Sequence, residues 1–430
     1  MRTLLLTIVL AAMCGCRVES DDVAVQADEA PAATVRHADP SGRFDEAPTP
    51  EELEQQRSSG RWRGDLDTVR VDTVASARAE AGFAESAGDI APGAFGQPPA
   101  LPLGGRIAGP SVLQAQVLLD RASFSPGIID GHWGDNAEKA VFFFQVSAGL
   151  APTGVLDRAT FDALRQRAGA GPVVVAHALT EEDVSGPFAD IPTDIYEQAE
   201  LDALGYESVD EKLSERFHTS PALLSQLNPG QPLDQLAPGD SLLVPAAGAA
   251  AGGAITGGRR PAGAVARLLV SGTGGYLHAL GADGRILMHF PVTVGLSYDP
   301  SPQGDYRVTA IARNPEWRYD PALLANVPDD EEPATIPAGP NNAVGLVWMA
   351  LSEPHYGIHG TKAPETIGYT SSSGCVRLTN WDALTLADAI RPGTPVAFRG
   401  TRDTDQAGPA GGGSEAAPTE TEAQGPASRG

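Results

Sequence analysis

The sequence predicts a multidomain protein, in which a small three-helix unit precedes a mostly-β domain with one helix. Apolar residues recur at helical spacing within residues 112–119, 138–145 and 157–164, which indicates three short helices. Short β-rich runs follow at residues 266–270, 276–280, 286–294, 305–312, 347–351 and 394–399. Between the two parts lies an Ala- and Gly-rich stretch, residues 247–264, which is predicted to be a linker.

The β-rich runs are expected to form a compact β-sandwich over residues 265–400 that carries its functional site on loops. The turn Ala282-Asp283-Gly284 is a strong hairpin signal between two of these runs. Residues 381–390 are expected to form the single helix of this domain. The three-helix unit is placed at residues 106–170, with a turn at residues 127–131.

Both ends of the chain are predicted to lie outside these folded parts. Arg2 and the apolar run at residues 4–12 have the pattern of a signal peptide, which we place at residues 1–16. Residues 17–105 are rich in Ala, Pro, Glu and Asp and are predicted to be a disordered tether. Residues 401–430 are rich in Gly, Pro, Ser, Thr and Glu and are predicted to be a disordered tail.

The end of the signal segment, Met13-Cys14-Gly15-Cys16, resembles a bacterial lipoprotein box. In such boxes a small residue precedes the cysteine that is lipidated, so Cys16 fits better than Cys14. Arg17 in the next position implies sorting to the outer membrane if the cell is Gram-negative. The resemblance implies an exported, periplasmic protein that meets the membrane only through its N-terminal lipid. Ordinary secretion with cleavage nearby is the alternative.

The overall charge excludes some partners. The formal net charge is −25 over 430 residues. A protein that binds nucleic acid or docks on anionic lipid needs a basic face, and this composition argues against both.

Cys375 is the candidate nucleophile, since the other two cysteines, Cys14 and Cys16, lie in the signal segment. A thiol attacks as its thiolate, which a nearby histidine or a set of backbone N–H groups favours. The small residues 371–374, SSSG, can fold tightly enough to aim N–H groups at one point, as an oxyanion hole requires. His359 is the candidate base, because glycines on both sides favour a strand that ends in a turn there.

Two alternatives remain open from the residues alone. A lone cysteine is often a buried small apolar residue, and a lone histidine is often structural. A metal site is the other alternative, with His355, His359 and Cys375 as ligands. The sequence contains no tight ligand pair such as C-x-x-C and no nucleotide motif, so we expect neither a metal nor a cofactor.

Residues 267–399 resemble the catalytic domain of the L,D-transpeptidase (YkuD-type) family. The resemblance rests on the segments 293–295 (TVG), 301–304 (SPQG), 314–317 (NPEW), 336–342 (IPAGPNN), 357–361 (GIHGT) and 372–378 (SSGCVRL). It implies that Cys375 is the nucleophile and that His359 is its base. Ser373 stands where many members have a second histidine. The resemblance implies that this difference affects the fine adjustment of the site more than catalysis itself.

Further site roles follow from the same resemblance. Backbone groups of Ser373 and Gly374 are expected to assist catalysis at the thiol. The Arg377 guanidinium suits a carboxylate on the substrate or on the domain itself. We expect the substrate-binding surface to include Arg377 together with Gly360, Ser372, Tyr356 and Trp348.

Two further segments resemble modules that bind the cell wall. Residues 130–134 (DGHWG), 140–145 (AVFFFQ) and 152–160 (PTGVLDRAT) closely resemble the peptidoglycan-binding type 1 domain. At least one aromatic of residues 142–144 is expected in its core, and exposed aromatics beside Asp130 would suit a glycan or a peptide stem. Residues 180–246 resemble a βααβ LysM module, with 236–245 (LAPGDSLLVP) as the stronger half. A spacer that binds no sugar is the alternative for this second segment.

The resemblances together imply an L,D-transpeptidase that acts on peptidoglycan. The expected reaction cleaves the diaminopimelate–D-alanine bond of a tetrapeptide stem and passes the acyl group to an amine. The acceptor is a second stem, a lysine of a wall-attached lipoprotein, or water. Binding is expected in residues 110–245 and chemistry in residues 267–399. The competing hypothesis is a non-catalytic peptidoglycan-binding protein with a degenerate third domain.

Overall fold

The computed structural model describes residues 33–34, 90, 95, 98–169, 171–247, 264–295, 300–323 and 331–401. The predictions for the signal peptide with Cys16, for most of the tether, for the linker and for the tail concern residues outside these ranges. Within the described part of the chain, no helix combines the length and the apolar character needed to cross a bilayer.

Three helices form the first module: α1 (Pro110–Arg121), α2 (Asp135–Ala148) and α3 (Arg158–Ala168). Pro110 begins α1, where a missing N–H costs nothing. Gly149 ends α2 with φ 70°, a left-handed conformation that favours glycine. The Asp157 side chain caps α3 by accepting from the Thr160 N–H at 2.7 Å. Local sequence therefore determines where each helix begins or ends.

The first module extends further towards the N-terminus than the sequence indicates. Leu103 is 1% exposed and packs in the same core as the helices. Its backbone exchanges two hydrogen bonds with Leu156, at 3.1 and 3.0 Å. The predicted tether boundary at residue 105 is therefore wrong, because residues 98–105 close the core of this module.

The second module contains a strand, several helices and a returning strand. Strand β2 (Val174–Ala178) pairs antiparallel with β3 (Ser241–Pro245), and helices α6 (Val209–Arg216) and α7 (Pro221–Leu227) lie between them in the chain. Two shorter helices, α4 (Glu181–Val184) and α5 (Ile195–Ala199), precede α6. The order β2-α6-α7-β3 is a βααβ arrangement with α4 and α5 inserted. Its first strand precedes residue 180, where the sequence places the module's start.

The third module is built on one mixed sheet of eight strands, in the order β12-β11-β10-β7-β13-β4-β5-β6. Its elements are β4 (Arg267–Ser271), β5 (Tyr276–Leu280), β6 (Ile286–Pro291), β7 (Gly304–Arg313), β10 (Val347–Leu351), β11 (Gly357–His359), β12 (Val376–Arg377), α8 (Asn380–Ala389) and β13 (Pro395–Arg399). A small separate sheet joins β8 (Trp317–Tyr319) to β9 (Ala334–Ile336) and to β1 (Ala33–Thr34). Helix α8 packs on the main core through Ala383 and Leu386.

The two edges of the main sheet meet, so the sheet curls into a nearly closed form. Thr293, just after β6, exchanges backbone hydrogen bonds of 3.1 and 2.9 Å with Arg377 in β12. Ser372 N–H donates to the Val294 carbonyl at 3.0 Å. The predicted β-sandwich is therefore wrong: one continuous sheet curls around its core, because β13 pairs with both β7 and β4 and joins the two halves.

The first module packs directly on the third. Phe143 of α2 lies with its ring centroid 4.2 Å from that of His278 and 4.5 Å from that of Tyr276. Phe124 forms a parallel β-bridge with His289. The three consecutive aromatics of residues 142–144 are all buried, at 1% exposure or less. The modules therefore share an apolar interface, and these aromatics are structural rather than exposed to a glycan.

The second module also contacts both neighbours. His218 Nδ1 lies 2.7 Å from Asp120 Oδ2 in α1, and its ring stacks on Trp381 of α8 at 5.1 Å. Glu215 of α6 accepts from Asn380 Nδ2 at 2.8 Å. The three modules are thus joined by buried polar and aromatic contacts, although the sequence predicts a linker between the second and the third.

Candidate active site

Strand pairing brings the predicted nucleophile and the predicted base together. Strands β11 and β12 are parallel, and His359 lies opposite Arg377. Side chains alternate along a strand, so Cys375 and Arg377 share the face that His359 presents, while Ile358 and Val376 point into the main core. From the usual strand spacing and rise, the Cα atoms of His359 and Cys375 are about 8 Å apart. That separation allows the two side chains to meet.

His359 is held as a neutral imidazole. It is completely buried, and its Nδ1 lies 2.6 Å from the Gly360 carbonyl oxygen. A carbonyl oxygen only accepts, so Nδ1 carries the proton and Nε2 keeps the lone pair. Burial, and secondarily the Arg377 charge, lowers the pKa of His359 to about 3. The imidazole is therefore neutral, with the basic nitrogen fixed as Nε2, throughout the neutral pH range.

Cys375 is 1% exposed and lies immediately before β12. Its Sγ lies 3.8 Å from the His355 carbonyl oxygen. The turn before it depends on Gly374, because a φ of 97° is strained for any residue that has a side chain. Ser372 Oγ donates to the Cys375 carbonyl at 2.5 Å, and Ser301 Oγ donates to the Gly374 carbonyl at 2.7 Å. Two hydroxyls thus fix the peptides on both sides of Cys375.

Asn380 supports the residue that orients the base. A Cβ at Gly360 would lie 2.2 Å from Asn380 Oδ1, so only glycine fits there. The same Oδ1 accepts from the Leu346 N–H at 3.0 Å, while Nδ2 donates to Glu215 at 2.8 Å. Asn380 therefore fills the space beneath Gly360, and Gly360 in turn holds His359.

The other predicted site residues divide between the two faces of the sheet. Trp348 is 4% exposed and stacks on His359, with ring centroids 5.4 Å apart. Arg377 is 7% exposed beside the base, and Ser373 is buried next to the thiol. Tyr356 instead packs half-buried against the main core, on the Ile358 side. Its backbone follows directly on the His355 carbonyl that lies 3.8 Å from Cys375 Sγ, and its part in substrate binding stays a prediction.

His355, the ligand named in the metal alternative, is exposed at a turn with φ 67°. His359 by contrast is buried on the strand. No group of three or more His, Cys, Asp or Glu side chains suited to a metal ion occurs among the described residues.

Two residues of this site were not singled out from the sequence. Ser301 falls within the recognised segment 301–304, so its position in a motif was a usable signal. Asn380 lies five residues after Cys375 and carries no local signal, because its contacts are with Leu346 and Glu215, far away in the chain. The candidate site is thus a buried thiol and a tautomer-fixed imidazole on one face of a curled sheet, an arrangement suited to acyl transfer.

Comparison with known proteins identifies the family of two parts of the chain. Residues 266–397 match the YkuD L,D-transpeptidase catalytic domain family, and residues 108–164 match the peptidoglycan binding domain family. The chain is 31% identical over 188 residues to L,D-transpeptidase YkuD of Bacillus licheniformis, covering 44% of this chain and 92% of that protein. The chain belongs to the L,D-transpeptidase family and is an L,D-transpeptidase enzyme with an N-terminal peptidoglycan-binding domain.

Two other matches carry less weight. An L,D-transpeptidase of Fuscovulum blasticum, from its ATP synthase subunits region, is 38% identical over 105 residues, which is 24% of this chain and 52% of that protein. The crystal structure of the Xylanimonas cellulosilytica L,D-transpeptidase is 17% identical, covers 70% of this chain and all of that chain, and gives a TM-score of 0.30. A score this low adds nothing to the argument.

Proposed function

We propose that this enzyme is a peptidoglycan L,D-transpeptidase that uses Cys375 as its nucleophile and His359 as its general base. The observation that carries the proposal is the pairing of β11 with β12, which puts both side chains on one face of the sheet. The matches to a transpeptidase domain and to a peptidoglycan-binding domain support a cell-wall substrate.

The first half-reaction forms a thioester. His359 Nε2 takes the thiol proton while Cys375 Sγ attacks the carbonyl carbon of the diaminopimelate residue in a tetrapeptide stem. The tetrahedral oxyanion then collapses and the bond to the terminal D-alanine nitrogen breaks. His359 Nε2 returns the proton to that leaving amine, so free D-alanine departs and the stem stays on Cys375.

Groups around the thiol support this step. Backbone N–H groups at Ser373 to Cys375 are the proposed donors to the oxyanion, and one well-placed donor contributes about 3–4 kcal/mol. The Arg377 guanidinium is the proposed partner of a substrate carboxylate. Ser372, Gly360 and Trp348 act indirectly in this mechanism, since the first fixes the thiol loop and the other two hold the imidazole.

The second half-reaction transfers the stem to an amine. An amine of a second stem would give a 3→3 cross-link, a lysine of a wall-attached lipoprotein would give protein attachment, and water would give carboxypeptidase action. His359 Nε2 takes the proton of the attacking group in each case. The βααβ module is proposed to be LysM-like. A location outside the cytoplasm follows from the wall substrate, and anchoring through a lipid on Cys16 is part of the same proposal.

The decisive experiment follows D-alanine release from defined tetrapeptide stems and records the intact mass after carbapenem treatment. The wild-type protein should release D-alanine and gain one covalent adduct. Cys375→Ala should do neither, while still sedimenting with purified sacculi. Release of D-alanine by Cys375→Ala at the wild-type rate would contradict the assigned nucleophile.

A further inference from the structure

A carboxyl group of the second module lies behind the candidate site. Glu215 of α6 is 6% exposed, and its Oε1 accepts a hydrogen bond from Asn380 Nδ2 at 2.8 Å. The two family matches cover residues 108–164 and 266–397, so Glu215 lies outside both. A residue from beyond the matched transpeptidase domain therefore contacts the asparagine that lies beneath Gly360.

The hydrogen bonds of the Asn380 amide allow it only one orientation. Its Oδ1 accepts from the Leu346 N–H at 3.0 Å, whereas Nδ2 donates to the Pro340 carbonyl at 3.2 Å and to Glu215 at 2.8 Å. Exchange of the amide oxygen and nitrogen would place donor against donor at Leu346 and acceptor against acceptor at Pro340. Glu215 is the closer of the two acceptors, and without it one N–H of this fully buried amide would lose its partner.

The oxygen of the same amide supports the turn next to the proposed base. A Cβ at Gly345 would lie 2.0 Å from Asn380 Oδ1, and a Cβ at Gly360 would lie 2.2 Å from it, so this oxygen is packed closely against both backbones. The Gly360 carbonyl in turn accepts from His359 Nδ1 at 2.6 Å. A shift of the Asn380 amide would therefore move the Gly360 peptide and, with it, the imidazole.

Backbone hydrogen bonds hold the second module against the loop that precedes β10. The Leu204 N–H donates to the Ala338 carbonyl at 2.9 Å, and the Asn341 N–H donates to the Leu204 carbonyl at 3.2 Å. These contacts flank the point at which Glu215 meets Asn380. The carboxyl group thus belongs to a docked module and is not a solvated side chain that touches the third module by chance.

The surroundings of Glu215 favour its neutral form. Tyr206 Oη lies 3.1 Å from Oε2, and a hydroxyl can accept the proton of a carboxylic acid there. Burial raises the pKa of Glu215 to about 8; hydrogen bonds from Asn380 and Tyr206 oppose this rise, and the nearby Glu211 and Glu365 carboxyl groups add to it. An acid that accepts with one oxygen and donates with the other has the hydrogen-bonding pattern of a glutamine side chain.

We propose that Glu215 is a positioning residue for His359, so that the second module sets the place of the imidazole in the transpeptidase domain. The contacts run from Glu215 through Asn380 to the Gly360 peptide, and the glutamate itself touches neither the thiol nor the stem. Its loss should therefore slow proton transfer and leave substrate binding unchanged. This inference rests on the proposed function, in which His359 Nε2 moves the proton.

The test measures D-alanine release from defined tetrapeptide stems. Glu215→Ala removes the acceptor of Asn380 Nδ2 and should lower kcat about tenfold or more with little change in KM, since a misplaced catalytic group slows the chemistry of the bound substrate. Glu215→Gln keeps both hydrogen bonds of the neutral acid and should retain most of the wild-type kcat.

Leu213→Ala is the matched structural control. Leu213 lies two residues before Glu215 on the same helix, is fully buried, and packs only in the second module's own core. The cavity left by this substitution should lower the melting temperature at least as much as Glu215→Ala does, while kcat stays near the wild-type value. An unchanged kcat in Glu215→Ala, a Glu215→Gln variant as slow as Glu215→Ala, or an equal loss of kcat in Leu213→Ala would overturn the positioning role.

A second readout does not depend on turnover. The His359 Nδ1–H proton, held by the Gly360 carbonyl, should give a downfield proton NMR signal that is missing in His359→Gln. This signal should shift in Glu215→Ala and stay in place in Glu215→Gln and Leu213→Ala. If the wild-type protein releases no D-alanine, the proposed function fails; the link from Glu215 to the imidazole then stands if the signal behaves in this way, and it fails if Glu215→Ala leaves the signal in place.

Discussion

Two buried histidine sites on the same sheet differ in what their nitrogens contact. His359, at the thiol, has Nδ1 on the Gly360 carbonyl at 2.6 Å. His278 and His289, at the interface with the first module, contact each other, with Nε2 and Nδ1 3.1 Å apart. The Phe143 ring lies 4.2 Å from His278 and 5.0 Å from His289. Exposure is 3% or less at all three histidines.

The pKa does not distinguish these sites. Burial lowers the pKa of His278 to about 3, the value that burial and the Arg377 charge give His359. Burial, followed by the charges of His278 and Lys139, also lowers the pKa of His289 well below its usual range. A lowered histidine pKa therefore indicates burial and does not by itself indicate catalysis. A catalytic role also needs a reactive partner on the same face, and of these three histidines His359 is the one that shares a face with Cys375.

Removal of residues 98–246 should cause the largest loss of stability and activity, because it exposes the interface histidines to water. Tyr276, His278 and His289 would meet water, and Asn380 would lose Glu215. Burying one large aromatic side chain contributes about 1.5–3 kcal/mol, and several are lost together. We expect loss of cooperative unfolding in calorimetry and loss of D-alanine release from soluble stems.

The control for this deletion removes residues 402–430 instead and should leave melting and activity unchanged. A fragment of residues 264–401 that melts cooperatively and acts normally on soluble stems would show that the interface is dispensable.

His359→Gln should lower kcat for D-alanine release by about 100-fold or more, the lower range for a positioned general base. Glutamine keeps a polar side chain of similar size but supplies no basic nitrogen. The paired variant His278→Leu/His289→Leu should retain most activity on soluble stems, since neither residue touches the thiol. A similar loss in both proteins would show that the two sites are functionally coupled.

The interface histidines, His278 and His289, should affect the pH dependence of stability. A histidine whose folded-state pKa is near 3 is protonated more in the unfolded chain between pH 3 and pH 6.5, so stability falls as pH falls through that window. For His278 the loss at pH 5 is about 2 kcal/mol. We expect His278→Leu/His289→Leu to lose less stability than the wild-type protein between pH 7 and pH 5, measured by urea unfolding.

Two buried carboxyl groups change stability with pH in the opposite direction, and they are present both in the wild-type protein and in His278→Leu/His289→Leu. Burial raises the pKa of Glu215 to about 8 and that of Asp382 to about 7, so both stabilise the fold as pH falls from 8 towards their unfolded-state values. The comparison of the two proteins removes their contribution. Parallel stability curves would refute the assignment of acid sensitivity to the interface pair.

His355→Gln should have the smallest effect. The side chain is exposed, and substitutions at such positions usually change free energies by less than about 0.5 kcal/mol. Steady-state kinetics should therefore show less than about a threefold change. A loss as deep as that of His359→Gln, together with zinc in elemental analysis, would favour the metal site over the thiol mechanism.

The sequence predicts the reactive residues better than their surroundings. Cys375 and His359 lie in short motifs whose glycines and small residues mark the turns, so spacing and resemblance locate them. Strands β5 and β10 occupy the predicted residues because each is a local β-rich run. The packing of the Tyr356 side chain against the main core depends on the register of β11, which local sequence does not reveal.

Contacts between residues far apart in the chain could not be predicted from the local sequence. Phe143 reads as core of its own helix, and nothing nearby shows that its ring lies against His278. A charged residue such as Glu215 is expected on the solvated face of a helix, yet it is 6% exposed and accepts a hydrogen bond from Asn380. Closure of the sheet likewise depends on Thr293 and Arg377, which are 84 residues apart (377 − 293 = 84).

The position of β13 has a consequence for biosynthesis. This strand is the last of the sheet in the chain, yet it lies in the middle, parallel to β4 and antiparallel to β7. The strands made earlier therefore form two separate ribbons, β4-β5-β6 on one side and β7-β10-β11-β12 on the other. The far edges of the two ribbons meet through the Thr293–Arg377 bridge, but their inner edges are joined by β13, so the curled sheet around the cysteine is complete only after synthesis has passed Arg399.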